Sequence, residues 1–283
     1  MSGKQAKKHR RAVAAKITKK PSGLAATQKP ELALPTPTLR LDLACGQNCK
    51  DGFEGVDVPG IRAYLDGEIA ALRTKPDRTG EELTRLAELE KSRARVKHEL
   101  NLGKFPWPWA DNSVIEIHSS HFVEHLPDIF VDAEGNEVPW GTPGAKDLFF
   151  AFFDECWRVM APGAWMTVVV PCLRNNRAFQ DPTHRRFYPA ESFFYLFKKF
   201  RDINRLDHYN VRCDFDGKID PTVMTDMNAR AAEVQQRMFN ESWNSIVDWV
   251  VRIKAVKPGP QLAAPPPEPG LVLPAAGAAP AGG

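Results

Sequence analysis

The sequence predicts an α/β fold built on a mostly parallel sheet with helices on both faces, and three observations predict it. From residue 38 onward, short apolar strand patterns alternate with amphipathic helical ones, as in a chain of βαβ units. The run "AWMTVVVP" (164–171) is the most continuous apolar strand pattern in the chain, as expected for a strand covered on both faces. The stretch "LRLDLACGQNCKDGFEGVDV" (39–58) reads as a strand, a tight turn through Gly46, and a second strand ending in one acid, Asp57.

The elements follow in order. After strands in "LRLDLAC" and "FEGVDV", residues 61–97 are highly charged, with Leu83, Leu86 and Leu89 on one stripe and a break at Pro76 and Gly80. That pattern predicts a pair of solvent-washed helices inserted into the fold. Val114–Ser119 is a short strand, and "HFVEHL" opens a helix that Pro127 ends. Glu134-Gly135-Asn136 between two short apolar runs predicts a surface hairpin. "KDLFFAFFDECWRVM" is an amphipathic helix stopped by Ala161-Pro162-Gly163, with Glu155 and Arg158 at i and i+3 as a structural pair. Phe193, Phe194 and Phe197 have helical spacing and are assigned to the core. "LDHYNVRCDF" and "SIVDWVVRIKAV" alternate like closing antiparallel strands, with a helix around Met227–Phe239 between them.

Composition sets the boundaries. Residues 1–29 hold nine Lys and Arg and no acid, while the end of the chain is mostly Pro, Ala and Gly. Neither stretch has the apolar surface to offset its ordering entropy. The expected organisation is a basic disordered tail (1–37), one domain (38–257, with 61–97 inserted), and a second disordered tail (258–283). The overall charge is +3, so without those nine cations the remaining chain carries −6. The basic arm reads either as a weak, non-specific nucleic-acid tether through residues 1–29 or as a solubilising tail.

Five cysteines are an odd count in a chain too large to need disulfide staples, which predicts reduced thiols and a cytoplasmic setting. Cys45 and Cys49 form CxxxC, but no second pair stands at zinc-ribbon spacing, so no metal is expected. The longest apolar run is far short of the roughly 20 residues a membrane span needs, and residues 1–20 lack an apolar signal core. No membrane association is expected.

In an open α/β sheet the ligand sits beyond the carboxyl ends of the strands, where the strand order reverses. The opening stretch falls there: a small-residue turn lets a backbone approach a ligand, and Asp57 can accept hydrogen bonds from vicinal ribose hydroxyls. The turn Ala44-Cys45-Gly46-Gln47-Asn48 carries one glycine and no phosphate-cradling run, which favours a nucleoside without phosphates.

Four pieces in order then resemble the class I S-adenosylmethionine-dependent methyltransferases, in particular a small bacterial and phage-type group related to the methyltransferase type 11 domain. They are "LDLACG", "GVDV", "HELNLGKFPWPWADNSVIEIHSSHFVEHL" and "ECWRVMAPGAWMTVVVP", within a likeness running from Leu39 to Lys254. The resemblance implies a Rossmann-like, seven-stranded sheet and S-adenosyl-L-methionine as cofactor, with an unidentified methyl acceptor. By the same resemblance Asp42, Ala44, Cys45 and Gly46 line the methionine moiety, Asp57 holds the ribose, Glu99 and Leu100 flank the adenine, and Ser119 closes the site. Ala44 and Asn48 stand where the family has glycines, and Glu99 where it usually has aspartate. An alanine at position 44 costs little at negative φ and of order 1 kcal/mol at positive φ.

Methyl transfer from a sulfonium is an in-line displacement, so alignment, exclusion of water and sometimes a base are what a chain must provide. The candidates are His121, beyond the fourth strand, and Asp181 and His184 in "FQDPTHRRFYP", the loop 174–189 expected to recognise the acceptor. Alternatively, His121 caps the next helix and Asp181–His184 is a structural turn. The Asn/Asp-Pro-Pro-aromatic motif of DNA amino-methyltransferases is absent where "SSHFVEH" stands. Pro171-Cys172 lies one strand too late for a cytosine C5 nucleophile. Two rival readings are a catalytically inactive scaffold of the same fold and a nucleic-acid-associated protein using the basic arm.

Overall fold

The computed structural model describes residues 38–224, 227 and 229–262. The arm of residues 1–29, the remainder of the predicted tail to residue 37, and residues 263–283 lie outside the described residues. The chain forms β1 (Leu39–Leu43), β2 (Glu54–Asp57), α1 (Ile61–Thr74), α2 (Gly80–Arg95), β3 (Val96–Glu99) and β4 (Val114–Ser120). Three short strands follow, β5 (Phe130–Val131), β6 (Glu137–Val138) and β7 (Lys146–Asp147), then α3 (Leu148–Val159), β8 (Met160–Pro171), β9 (Phe215–Val223) and β10 (Ile246–Ala255). The main sheet has seven strands in the order β3-β2-β1-β4-β8-β10-β9. Its first five strands are parallel, and β10 runs antiparallel to both neighbours. This is the methyltransferase-like α/β sheet the sequence predicts.

Burial explains the strand choices. Leu41 and Leu43 on β1 and Met166, Val168 and Val170 on β8 are fully buried, because they belong to the main core that packs on the sheet with the phenylalanines of α3. Under the sheet, α3 packs Phe152 and Phe153, both fully buried, and the Asp147 carboxylate caps its first turn by accepting the Phe149 N–H at 2.8 Å. Phe193 is fully buried beside them, with Phe194 and Phe197 half-buried.

The insert between β2 and β3 is the expected helix pair. Thr79 and Glu82 form a capping box that starts α2. Leu65 and Ile69 of α1 meet Leu89 of α2 and Val96 in a small separate core. Arg73–Glu90, Arg85–Glu68 and Arg93–Asp66 lie across the helix pair as surface ion pairs of small energetic weight. Leu83 departs from the expected stripe, with half its surface in water.

Two other elements differ from the sequence reading. The helix expected in "HFVEHL" is one 3-10 turn, Val123–His125. His121 enters it at φ 53°, the Glu124 carbonyl accepts the Arg185 and Arg186 N–H groups at 2.8 and 3.0 Å, and Pro127 has no N–H to continue a helix. The strand expected in "LDHYNVRCDF" begins only at Phe215, and the helix expected at 227–239 is described over Ala232–Glu241. The five last described residues run beside Pro162 and Gly163 near the start of β8, where the Leu262 N–H donates to the Pro162 carbonyl at 3.0 Å. Among the described residues no helix is long and apolar enough to cross a membrane.

Candidate functional site

β1 has β2 on one side and β4 on the other, so the chain's direction of travel across the sheet reverses at the carboxyl ends of β1 and β4. A cavity of about 350 Å³ opens there, within the size range of small-molecule sites. Four of the five parallel strands contribute to its wall: Ala44 after β1, Asp57 at the end of β2, Leu100 after β3, and Phe122 and His125 after β4. Three of the sequence-predicted cofactor residues, Ala44, Asp57 and Leu100, line it.

Asp57 is 8% exposed and organises the turn opposite. Its Oδ2 accepts the Gly46 N–H at 2.6 Å and its Oδ1 the Val58 N–H at 2.7 Å. A carboxylate has about four acceptor positions, so two remain for a ligand. The N–H groups of Ala44 and Cys45 go to the Val56 carbonyl, and that of Asn48 to the Cys45 carbonyl. With these donors committed internally, the turn does not form a phosphate cradle, and it suits a nucleoside better than a dinucleotide.

The other predicted cofactor residues, Asp42, Cys45, Gly46, Glu99 and Ser119, do not line the cavity. Asp42 is buried and accepts the Lys50 N–H at 2.7 Å. Cys45 and Cys49 put their sulfurs against β2, where a Cβ on Gly55 would lie 2.7 and 2.9 Å from them, so Gly55 leaves the room the thiols fill. The Cys45 thiol is pushed well above its ordinary range, first by its hydrogen bond with Cys49 and then by burial. Ser119 is fully buried, with no hydrogen-bond partner for its hydroxyl. Glu99 turns to α1 rather than to the cavity. It accepts the Gly60 N–H at 2.9 Å, the Arg62 N–H at 3.3 Å and the Arg62 guanidinium at 2.9 Å, and so caps that helix.

Ala44 has φ 55°, which answers the question its methyl group raises. Asn48 is not among the positive-φ residues and needs no glycine. We expect Ala44→Gly to stabilise the protein by about 1 kcal/mol, the left-handed penalty of a non-glycine residue, raising Tm by roughly 2–4 °C. Calorimetric melting of both proteins checks this, and a lower Tm in the variant would show that the turn is not strained.

Burial raises the Asp42 carboxyl from 3.8 to about 6, against the lowering effect of the Lys50 N–H. The folded state therefore binds this proton more tightly than the unfolded chain. Its stabilising contribution is complete below about pH 4 and is lost as pH rises through about 6. Asp42→Asn should thus gain roughly 1–2 kcal/mol at pH 7.5 and nothing at pH 4. Urea unfolding at the two pH values measures the difference, and an equal effect at both would remove Asp42 ionisation as its cause.

On the far side of the cavity the structure gathers residues that are distant in sequence. Glu124 is 2% exposed, and neither of its carboxylate oxygens has a hydrogen-bond partner. Its Oε1 lies 3.4 Å from His121 Nδ1 and 4.0 Å from His184 Nε2. His125 and His184 meet edge to face with ring centroids 4.7 Å apart. Asp181 lies behind them, accepting the Thr183 N–H at 2.8 Å and its hydroxyl at 2.6 Å, while Thr183 Oγ1 is 3.0 Å from His125 Nδ1. Thr183 holds Asp181 below the usual carboxylate range. The three predicted catalytic residues, His121, Asp181 and His184, are therefore neighbours, but of this cluster only His125 lines the cavity. Glu124 and His125 were not singled out from sequence; the signal available was the density of ligating side chains in "HFVEH".

No family model and no curated protein matches the chain. Solved structures do. An S-adenosylmethionine-dependent methyltransferase from Archaeoglobus fulgidus is 16% identical over 77% of this chain and 86% of its own, with a TM-score of 0.40. One from Methanosarcina mazei is 14% identical over 79% and 94%, with a TM-score of 0.37. A geranyl diphosphate C-methyltransferase from Streptomyces coelicolor, solved with Mg2+, geranyl-S-thiolodiphosphate and S-adenosyl-L-homocysteine, is 12% identical over 78% and 70%, with a TM-score of 0.35. The fold assignment itself rests on the strand order and directions of the seven-stranded sheet.

Proposed function

We propose that the chain is a methyltransferase that binds S-adenosyl-L-methionine in the 350 Å³ cavity and delivers its methyl group to an acceptor held on the histidine side. The observation that carries this reading is Asp57. It is a nearly buried carboxylate in the cavity wall, with two acceptor positions left, at the end of the strand beside the switch point. Bound there, the cofactor supplies an electrophilic methyl on a sulfonium. Asp57 accepts from the ribose hydroxyls, Leu100 gives the base an apolar wall, and the 44–46 turn lets the backbone come close. Phe122 and Leu126 add apolar surface to the cavity wall. The loop 174–189 supplies Asp181, Thr183 and His184 to the acceptor side. All five cysteines are free thiols, which accords with a reducing, cytoplasmic setting.

Calorimetric titration of the full chain tests this. S-adenosyl-L-methionine and S-adenosyl-L-homocysteine should each bind with one-to-one stoichiometry, and NAD+ should not compete, because the turn lacks a phosphate cradle. Folded protein that binds neither sulfur nucleoside would support the scaffold reading instead.

A further inference from the structure

We propose that Glu124, His125 and His184 form a binding site for a first-row divalent metal ion of the zinc class. One carboxylate oxygen and one ring nitrogen from each histidine lie within 4.8 Å of one another. Donors held about 2.0–2.2 Å from a tetrahedral ion sit roughly 3.4 Å apart, so side-chain adjustments of about 1 Å close the set. Two imidazoles and a carboxylate are the donor chemistry that zinc and its neighbours select, and three protein ligands leave a position open for water or a substrate oxygen.

Two independent observations point to a cation here. The first is the Glu124 carboxylate, 2% exposed, with neither oxygen hydrogen-bonded and only imidazole nitrogens beside it, at 3.4 and 4.0 Å from Oε1. A buried carboxylate without hydrogen bonds is costly, and a metal ion is one of the few partners that offsets the cost. The second is the state in which the rings are held. His184 Nδ1 lies 2.8 Å from the Ala178 carbonyl, which can only accept, so Nδ1 carries a proton and, in the neutral imidazole, Nε2, facing Glu124, carries the lone pair. The Thr183 hydroxyl gives its proton to Asp181, so His125 Nδ1 donates to Thr183 Oγ1 and its Nε2 is likewise a lone-pair nitrogen. An imidazole whose far nitrogen is tied to a carbonyl or a carboxylate relay is the usual arrangement of a metal-binding histidine. His121, with its Nδ1 3.4 Å from Glu124 Oε1, stands beside the set as a fourth group. This site differs from the Asp42, Cys45 and Cys49 cluster under β2, and it does not depend on the cofactor reading.

The test uses the full chain, stripped with a chelator, dialysed into metal-free buffer, and titrated with Co2+ and separately with Zn2+. We expect one equivalent of Co2+ with a visible ligand-field spectrum, displaced by Zn2+. Glu124→Gln and His184→Ala should each weaken binding at least about 100-fold. Asp181→Asn removes only the group that orients Thr183 and His125, and should weaken it about 10-fold. Melting curves establish that each variant is folded, and Asp181, on the surface, is the variant least able to disturb the core. Folded wild-type protein that takes up no Co2+ overturns the proposal. So does binding that survives both Glu124→Gln and His184→Ala, or binding lost in Cys45→Ser with a thiolate charge-transfer band in the wild type.

Discussion

Replacing Asp57 with alanine is expected to weaken S-adenosyl-L-methionine binding by about 1.5–3 kcal/mol, a loss of roughly 10- to 150-fold in affinity. The carboxylate occupies two different roles at once. Toward the protein it accepts the Gly46 and Val58 N–H groups, and toward the cavity it offers its remaining lone pairs. The variant therefore loses stability as well, by about 1–3 kcal/mol, because two N–H groups lose their acceptor. The two effects separate in the double variant Ala44→Gly/Asp57→Ala. Relief of the strained φ at position 44 should recover part of the melting temperature and none of the affinity. A single variant that binds the cofactor as tightly as wild type would move the site away from β2.

Much of the sheet was legible because side-chain pattern and burial coincide there. β8 is covered on both faces and reads as the most continuous apolar strand pattern, and α3 buries one stripe and reads with helical period. β9 was misplaced because "FDGKIDPTV" is an edge strand that carries none of that signal. Pro221 is tolerated at an edge, where one side of the strand has no partner to receive an N–H. Gly217 is required by closeness rather than by pattern, since a Cβ there would lie 2.1 Å from the Arg252 carbonyl oxygen. The turn after β4 was misread for a different reason. Its conformation is set by the positive φ of His121 and by two hydrogen bonds arriving from Arg185 and Arg186, some sixty residues on, and no local periodicity encodes those.

The cavity wall was legible where strand ends position single residues, at Ala44, Asp57 and Leu100. Glu99 was assigned to the adenine by the family resemblance alone, and local sequence carries no sign that Gly60 and Arg62 supply donors that hold its carboxylate at the start of α1. The histidine cluster gives the reverse case. His121, Asp181 and His184 were named one by one from local sequence. What joins them is the packing of the 174–189 loop against the turn after β4, which buries Glu124 and aligns His125, and single-residue reading has no access to such pairings.

Removing the Glu155 carboxylate should have the largest effect on stability of any single change considered, about 2–4 kcal/mol. Glu155 Oε1 accepts the Trp107 N–H and one Arg158 guanidinium nitrogen, each at 2.6 Å, and Oε2 accepts Arg158 Nε at 2.9 Å. The same guanidinium donates to the carbonyls of Trp107 and Trp109 and to Asp111, so one pair fastens the whole Pro106–Asp111 segment to α3. The clamp extends to the cavity. Trp107 is 2% exposed, and its Nε1 donates to the carbonyl of Leu102, a wall residue. Glu155→Ala leaves a buried N–H without an acceptor and a guanidinium without its main counter-charge, which is the costly way to break such a pair. The cost lies below the extreme of the range for buried pairs because 26% of the Arg158 side chain reaches water. In a domain of this size it lowers Tm by roughly 5–15 °C. Glu155→Gln keeps an acceptor for Trp107 and should fall between wild type and Glu155→Ala. Glu155→Ala/Arg158→Ala should cost less than the sum of its parts, because each single change already breaks the shared interaction. Melting temperatures of wild type, Glu155→Ala, Glu155→Gln, Arg158→Ala and the double variant decide the matter: strict additivity would mean that the two side chains act separately, and a Glu155→Ala protein melting within a degree of wild type would mean that the 106–111 segment is held by its tryptophans alone.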